Sequence, residues 1–99
     1  MFVYHIVLPD RWEQVRNGST YSADSLESEG FIHCSYDHQL EDVIGRYYRD
    51  ARELVILTID VTKLTSKLVS EPSTGGELYP HVYGPINLDA VVSAETRAN

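Results

Sequence analysis

Glu53-Leu54-Val55-Ile56-Leu57-Thr58-Ile59 is the stretch on which the fold turns. It is an unbroken β-prone run, the pattern of a strand covered on both faces. Such a strand belongs at the centre of a sheet, so the flanking segments must supply the layers that cover it. Working towards the N-terminus, Leu40, Val43, Ile44, Tyr47 and Tyr48 recur at helical spacing, and Ser35 stands where a helix cap would. Arg46 and Arg49 fall in the last turn of that helix, with Arg52 just beyond, where positive charge suits the negative end of the helix dipole.

Before it, Phe31-Ile32-His33-Cys34 reads as a short strand, and residues 18–30 as a polar loop with at most one helical turn between Ser25 and Glu29. Phe2–Val7 alternates as a strand, with Val3, His5 and Val7 on one side and Phe2, Tyr4 and Ile6 on the other. Pro9-Asp10 opens a short helix. Asp10 and Glu13 have capping-box spacing, Leu8, Trp12 and Val15 follow the helical period, and Asn17-Gly18 ends it.

Towards the C-terminus, a polar turn from Asp60 to Ser66 leads to an edge strand over Lys67–Glu71. The loop Pro72-Ser73-Thr74-Gly75-Gly76 follows, then a strand over Tyr79–Tyr83, a Gly84-Pro85 break and a closing strand over Asp89–Glu95. Strands and helices are mixed in order, which favours an α+β fold with a largely antiparallel or mixed sheet and two to three short helices. No internal repeat interrupts the chain.

The 99 residues suit one domain spanning residues 1–99, and 42% hydrophobic with 23% charged residues is ordinary for a globular protein. The 8 basic against 15 acidic residues give a net charge of −7, which argues against RNA or DNA as partner. A small anionic nucleotide stays compatible, because a few arginines and backbone amides can hold a diphosphate. A single cysteine, Cys34, leaves no internal disulfide, and the N-terminus lacks a signal-peptide pattern, so the expected compartment is the cytoplasm. Leu54–Ile59 is far too short for a membrane span, which takes about 20 residues.

Four histidines draw attention, since a neutral imidazole offers both a donor and an acceptor. His33 shares a strand face with Phe31 and Ser35, and His81 with Tyr79 and Tyr83, which makes a surface suited to stacking and hydrogen-bonding a heterocycle. His5 on a buried-looking face has an equally simple reading as a hydrogen-bonded core residue. His38 belongs on an exposed first turn. No two histidines have zinc-site spacing, so no metal is expected. Cys34 and His33 are adjacent on a strand and point to opposite faces, which disfavours a thiol nucleophile with His33 as base. Glu71 and Glu77 flank the Pro-Ser-Thr-Gly-Gly loop, where a carboxylate can be carried over a site.

Val3-Tyr4-His5-Ile6, Ala23-Asp24-Ser25-Leu26, Glu29-Gly30-Phe31-Ile32-His33-Cys34-Ser35 and Leu78-Tyr79-Pro80-His81-Val82-Tyr83-Gly84-Pro85 together resemble the small bacterial family catalogued as domain of unknown function 952. The resemblance implies a fold similar to the ADP-ribosyltransferase catalytic domain, distantly like the RNA 2′-phosphotransferases. It further implies a cleft lined by His5, Ser25, His33, Ser35, His81 and Tyr83 that takes NAD or another ADP-ribose-bearing nucleotide. In that scheme His5, Ser25, Ser35, His81 and Tyr83 hold the nucleotide, His33 orients it or exchanges a proton, and Glu77 stabilises developing positive charge. Of the two loop carboxylates, Glu71 is the other that could serve. Ile6 stands where that wider group has a glycine after the first histidine. The departure keeps open a non-catalytic small-ligand or protein-binding module on the same fold.

Overall fold

The strand Glu53–Asp60 takes the central place its sequence demands. In the computed structural model, which describes residues 1–73 and 75–99, it lies antiparallel between β1 (Phe2–Val7) and the C-terminal strand Val91–Ala98, in a three-stranded sheet. In chain order the helices are α1 (Pro9–Val15), α2 (Asp24–Glu29) and α3 (Leu40–Tyr47). The remaining strands are β2 (Thr20–Tyr21), β3 (Ile32–His33), β4 (Glu53–Asp60, the central strand), β5 (Lys67–Pro72), β6 (Leu78–Tyr83), β7 (Ile86–Asn87) and β8 (Val91–Ala98). A second three-stranded sheet has the order β3-β6-β5, and β2 pairs with β7 in a two-residue ribbon. Every pairing is antiparallel, so the fold is α+β built on small antiparallel sheets.

Burial explains why β4 needs apolar residues throughout. Leu54 and Ile56 on one face pack with Ile6 and with Leu40 and Ile44 of α3. Val55, Leu57 and Ile59 on the other face join Val3, Val7, Ile32, Val82 and Ile86 in the main core, which lies between the two larger sheets. Each fully buried aliphatic side chain contributes roughly 1.5–3 kcal/mol relative to exposure. With a layer on either side, alternation with polar residues would have placed a polar group in one core or the other.

Several local expectations are revised. Asp10 does not cap α1: Leu8 holds the capping position, makes no side-chain cap bond, and Pro9 begins the helix. The missing N–H and fixed φ of proline suit the first helical residue, which moves the start two residues earlier than the Asp10–Glu13 spacing suggests. Ser35 does not cap the third helix either. The entry to α3 is a single 3₁₀ turn, Asp37–Gln39, where the Gln39 side-chain oxygen accepts the Tyr36 backbone N–H at 2.9 Å. Ser35 is instead in a two-bond backbone bridge with Tyr4, N to O at 2.7 and 2.8 Å. Helix α3 ends at Tyr47, so Arg46 alone of the three arginines lies in its last turn.

The polar segment 18–30 contains β2 and a full helix α2, closed by Gly30 with φ of 89°, a left-handed cap that glycine adopts without strain. The closing strand starts at Val91, after a 3₁₀ turn over Leu88–Ala90, and runs to Ala98. Pro72 ends β5 and does not open the loop. The part of the loop expectation that falls on Thr74 lies outside the described residues.

The segment from Ile32 to Ser35 changes sheets. Ile32 and His33 pair with Val82 and His81, the Cys34 N–H donates to the Pro80 carbonyl at 3.0 Å, and Ser35 then bonds to Tyr4 on the outer edge of β1. The two sheets therefore meet along β3 and the edge of β1, and the cleft opens at that junction.

Candidate functional site

A cleft of about 650 Å³ sits where β1, β3 and β6 converge beneath α2 and α3. The volume falls within the range usual for small-molecule sites. His5, Ser25, His33, Ser35 and His81 all line it, so five side chains from four separate segments share one concavity. Tyr83 and Glu77 do not line it. Tyr83 stands exposed beside it with its hydroxyl on Glu71, and Glu77 accepts a 2.8 Å bond from the Gln39 side chain, with His38 Nε2 at 4.0 Å.

His5 is fully engaged. Its Nδ1 lies 2.7 Å from the His33 carbonyl, which can only accept, so Nδ1 carries the proton. Nε2 is then the acceptor for the Tyr21 hydroxyl at 2.9 Å. Burial pushes the His5 pKa down to about 4 and the Tyr21 pKa up to about 12, so both groups are neutral across the physiological range. The ring thus ties β1 to β3 and fixes Tyr21 over the cleft floor.

His81 is engaged on one side only. Its Nδ1 is 2.8 Å from Glu71 Oε1, the same oxygen that accepts the Tyr83 hydroxyl. Those two bonds, Tyr83 first and His81 second, lower the Glu71 pKa, and the Glu71 carboxylate in turn raises that of Tyr83. With Nδ1–H donating to a carboxylate, Nε2 of the neutral ring presents a lone pair. It is the one buried side-chain polar atom among the described residues without a hydrogen-bond partner. The imidazole stacks on Phe31 with centroids 4.0 Å apart and meets His33, its cross-strand partner, edge-on at 5.4 Å.

His33 is half exposed, and its Nε2 is 3.0 Å from Glu29 Oε2. The cleft therefore brings together two imidazoles, each with its own glutamate. Cys34 also lines it, buried, with the thiol pKa pushed up to about 12 by burial, which leaves it protonated and a poor nucleophile. Among the described residues, no group of three or more His, Cys, Asp or Glu side chains is placed to hold a metal ion.

Reading the sequence overlooked Tyr21, Glu29, Asp24 and Arg46 as lining residues. The spacing Glu29-x-x-x-His33 was visible, but it crosses a helix end and a strand start, so it carried no periodic signal. Glu71 was visible beside Glu77. Only the β5–β6 register, which opposes Glu71 to Tyr79 and Val69 to His81, brings Glu71 to His81.

This geometry can be set beside known proteins. The family model described as Protein of unknown function (DUF952) matches residues 6–94. The chain belongs to the DUF952 family. The crystal structure of protein CC0527 from Caulobacter crescentus is similar, with a TM-score of 0.87 and 25% identity over 97% of this chain and 85% of that one. The solution NMR structure of the same protein gives a TM-score of 0.81 and 25% identity over 95% and 82% of the two chains. No curated protein matches the chain. The DUF952 model begins at Ile6 and takes in α2, β3 and β6, so it spans the cleft apart from the start of β1. Among the described residues no helix is long and apolar enough to cross a membrane.

Proposed function

We propose that the cleft binds a compact nucleotide of the ADP-ribose class, with NAD as the candidate, on a scaffold akin to ADP-ribosyltransferase domains. The observation that carries the reading is the lone pair of His81 Nε2, buried in a residue that lines the cleft and without a partner. An unmet buried acceptor costs about 1–3 kcal/mol, and a ligand N–H or O–H would recover it. The hydroxyls of Ser25 and Ser35, together with the Tyr21 oxygen, are the groups a ribose would meet. His5 acts through Tyr21, and Tyr83 through Glu71.

Were the bound nucleotide cleaved, the C–N bond to nicotinamide would break with its electrons going to the pyridine. Water would add at the ribose carbon, and His81 Nε2 or His33 would take up the released proton. Glu71 backs His81 in that role, and Glu29 backs His33. Glu77, held by Gln39 outside the lining, would reach the ligand only after leaving Gln39.

A non-catalytic module on the same fold has its own support: Ile6 follows His5, and both His5 nitrogens are already spent inside the protein. Saturation-transfer NMR with NAD, followed by chromatography for free nicotinamide, separates the two. Binding with release supports the enzyme and binding without release the module. Neither at millimolar NAD overturns the nucleotide reading.

A further inference from the structure

The lining of the cleft is rich in electron-pair and π-face acceptors and poor in free positive charge. Five of the seven tyrosines in the chain, Tyr4, Tyr21, Tyr47, Tyr48 and Tyr79, line it. Two lining carboxylates, Asp24 and Glu29, face one lining guanidinium, Arg46, whose charge is offset by Asp42 at 2.8 Å. Glu29 holds His33, whereas Asp24 has no ion-pair partner among the described residues. The ring face of a tyrosine is the negative pole of its quadrupole and attracts cations. Tyr21 already shows this within the chain, with the Arg11 guanidinium carbon 5.9 Å from its ring centroid.

His81 adds an independent and directional observation. It is 5% exposed, its Nδ1 is committed to Glu71, and in the neutral ring its unpartnered Nε2 is an acceptor. We propose that the cleft selects a small organic ammonium group. One N–H of the ligand donates to His81 Nε2, its charge is balanced by Asp24 and Glu29, and its carbon atoms lie against the tyrosine rings. The inference rests on the cleft being a ligand site, not on the ligand being a nucleotide.

The test titrates the isotope-labelled full chain with dimethylaminoethanol, which is protonated at neutral pH, and with its neutral carbon isostere, 3-methylbutanol, following backbone amide shifts by NMR. The expected result is binding of the ammonium about ten-fold tighter than the alcohol, with shifts at β1, β3 and β6, and a several-fold loss in Asp24→Asn. Equal affinities, no ammonium binding at millimolar concentration, or an unchanged affinity in Asp24→Asn overturns the proposal. NAD titrated into the same sample reports separately. NAD binding without an ammonium preference keeps the nucleotide reading and removes this one, and the reverse outcome does the opposite.

Discussion

Oε1 of Glu71 stands 2.8 Å from Nδ1 of His81, across the β5–β6 hairpin and ten residues away in sequence. Because the same oxygen accepts the Tyr83 hydroxyl, it fixes both the tautomer of the imidazole and the position of the phenol.

Glu71→Gln should change the acid limb of the stability curve. The folded pKa of Glu71 is depressed, so its contribution is present above the ordinary carboxylate range and is lost as the pH falls through the folded value. Urea midpoints measured from neutral pH down to the acid limb should fall less steeply in Glu71→Gln than in the wild type. Parallel curves would mean that the carboxylate is not held by these bonds.

His5 makes the opposite kind of demand, since its folded pKa lies near 4 against an ordinary 6.5. Below pH 6.5 the unfolded chain takes up a proton that the folded chain refuses, so stability is lost as the pH drops from 6.5 towards 4. The effect reaches about 3 kcal/mol at the bottom of that window. Replacing the ring with His5→Gln removes the titrating group. Such a variant should be less stable at neutral pH and should show a flatter dependence between pH 6.5 and 4 in the same denaturation series.

Gly84 has a φ of 154°, and a Cβ built there would lie 2.4 Å from Ser66 Oγ. Ser66 cannot simply swing away, because its hydroxyl donates to the Pro85 carbonyl at 2.6 Å. Gly84→Ala is expected to cost about 1–3 kcal/mol. The double variant Gly84→Ala with Ser66→Gly should recover part of that loss, the part due to the clash and not to the backbone angle. Thermal melts of the three proteins decide this, and a double variant no more stable than Gly84→Ala would refute the contact.

Cys34 provides a chemical check on the site. A buried thiol with its pKa near 12 should resist iodoacetamide at neutral pH while the chain is folded, and react at the rate of a free cysteine in denaturant. Fast alkylation of the native protein, followed by mass spectrometry, would reopen the thiol as a nucleophile.

The sequence made the frame readable because β4 and α3 carry long apolar patterns whose period has one interpretation. Pairs such as Thr20–Tyr21 with Ile86–Asn87 were not readable, since two residues show no period and owe their extended state to the partner they find. The caps at Asp10 and Ser35 misled for a related reason. Both are good local candidates, but Pro9 begins one helix earlier, and the Tyr4 bridge claims Ser35 before the other. The histidines were legible as candidates. Which glutamate serves which was decided by strand register, which no single stretch of chain encodes.

Two main-chain bonds between Tyr4 and Ser35, and the span of His5 from β1 to the His33 carbonyl, fasten one sheet to the other beside the cleft. Loss of either fastener would therefore act on both walls of the cleft at once.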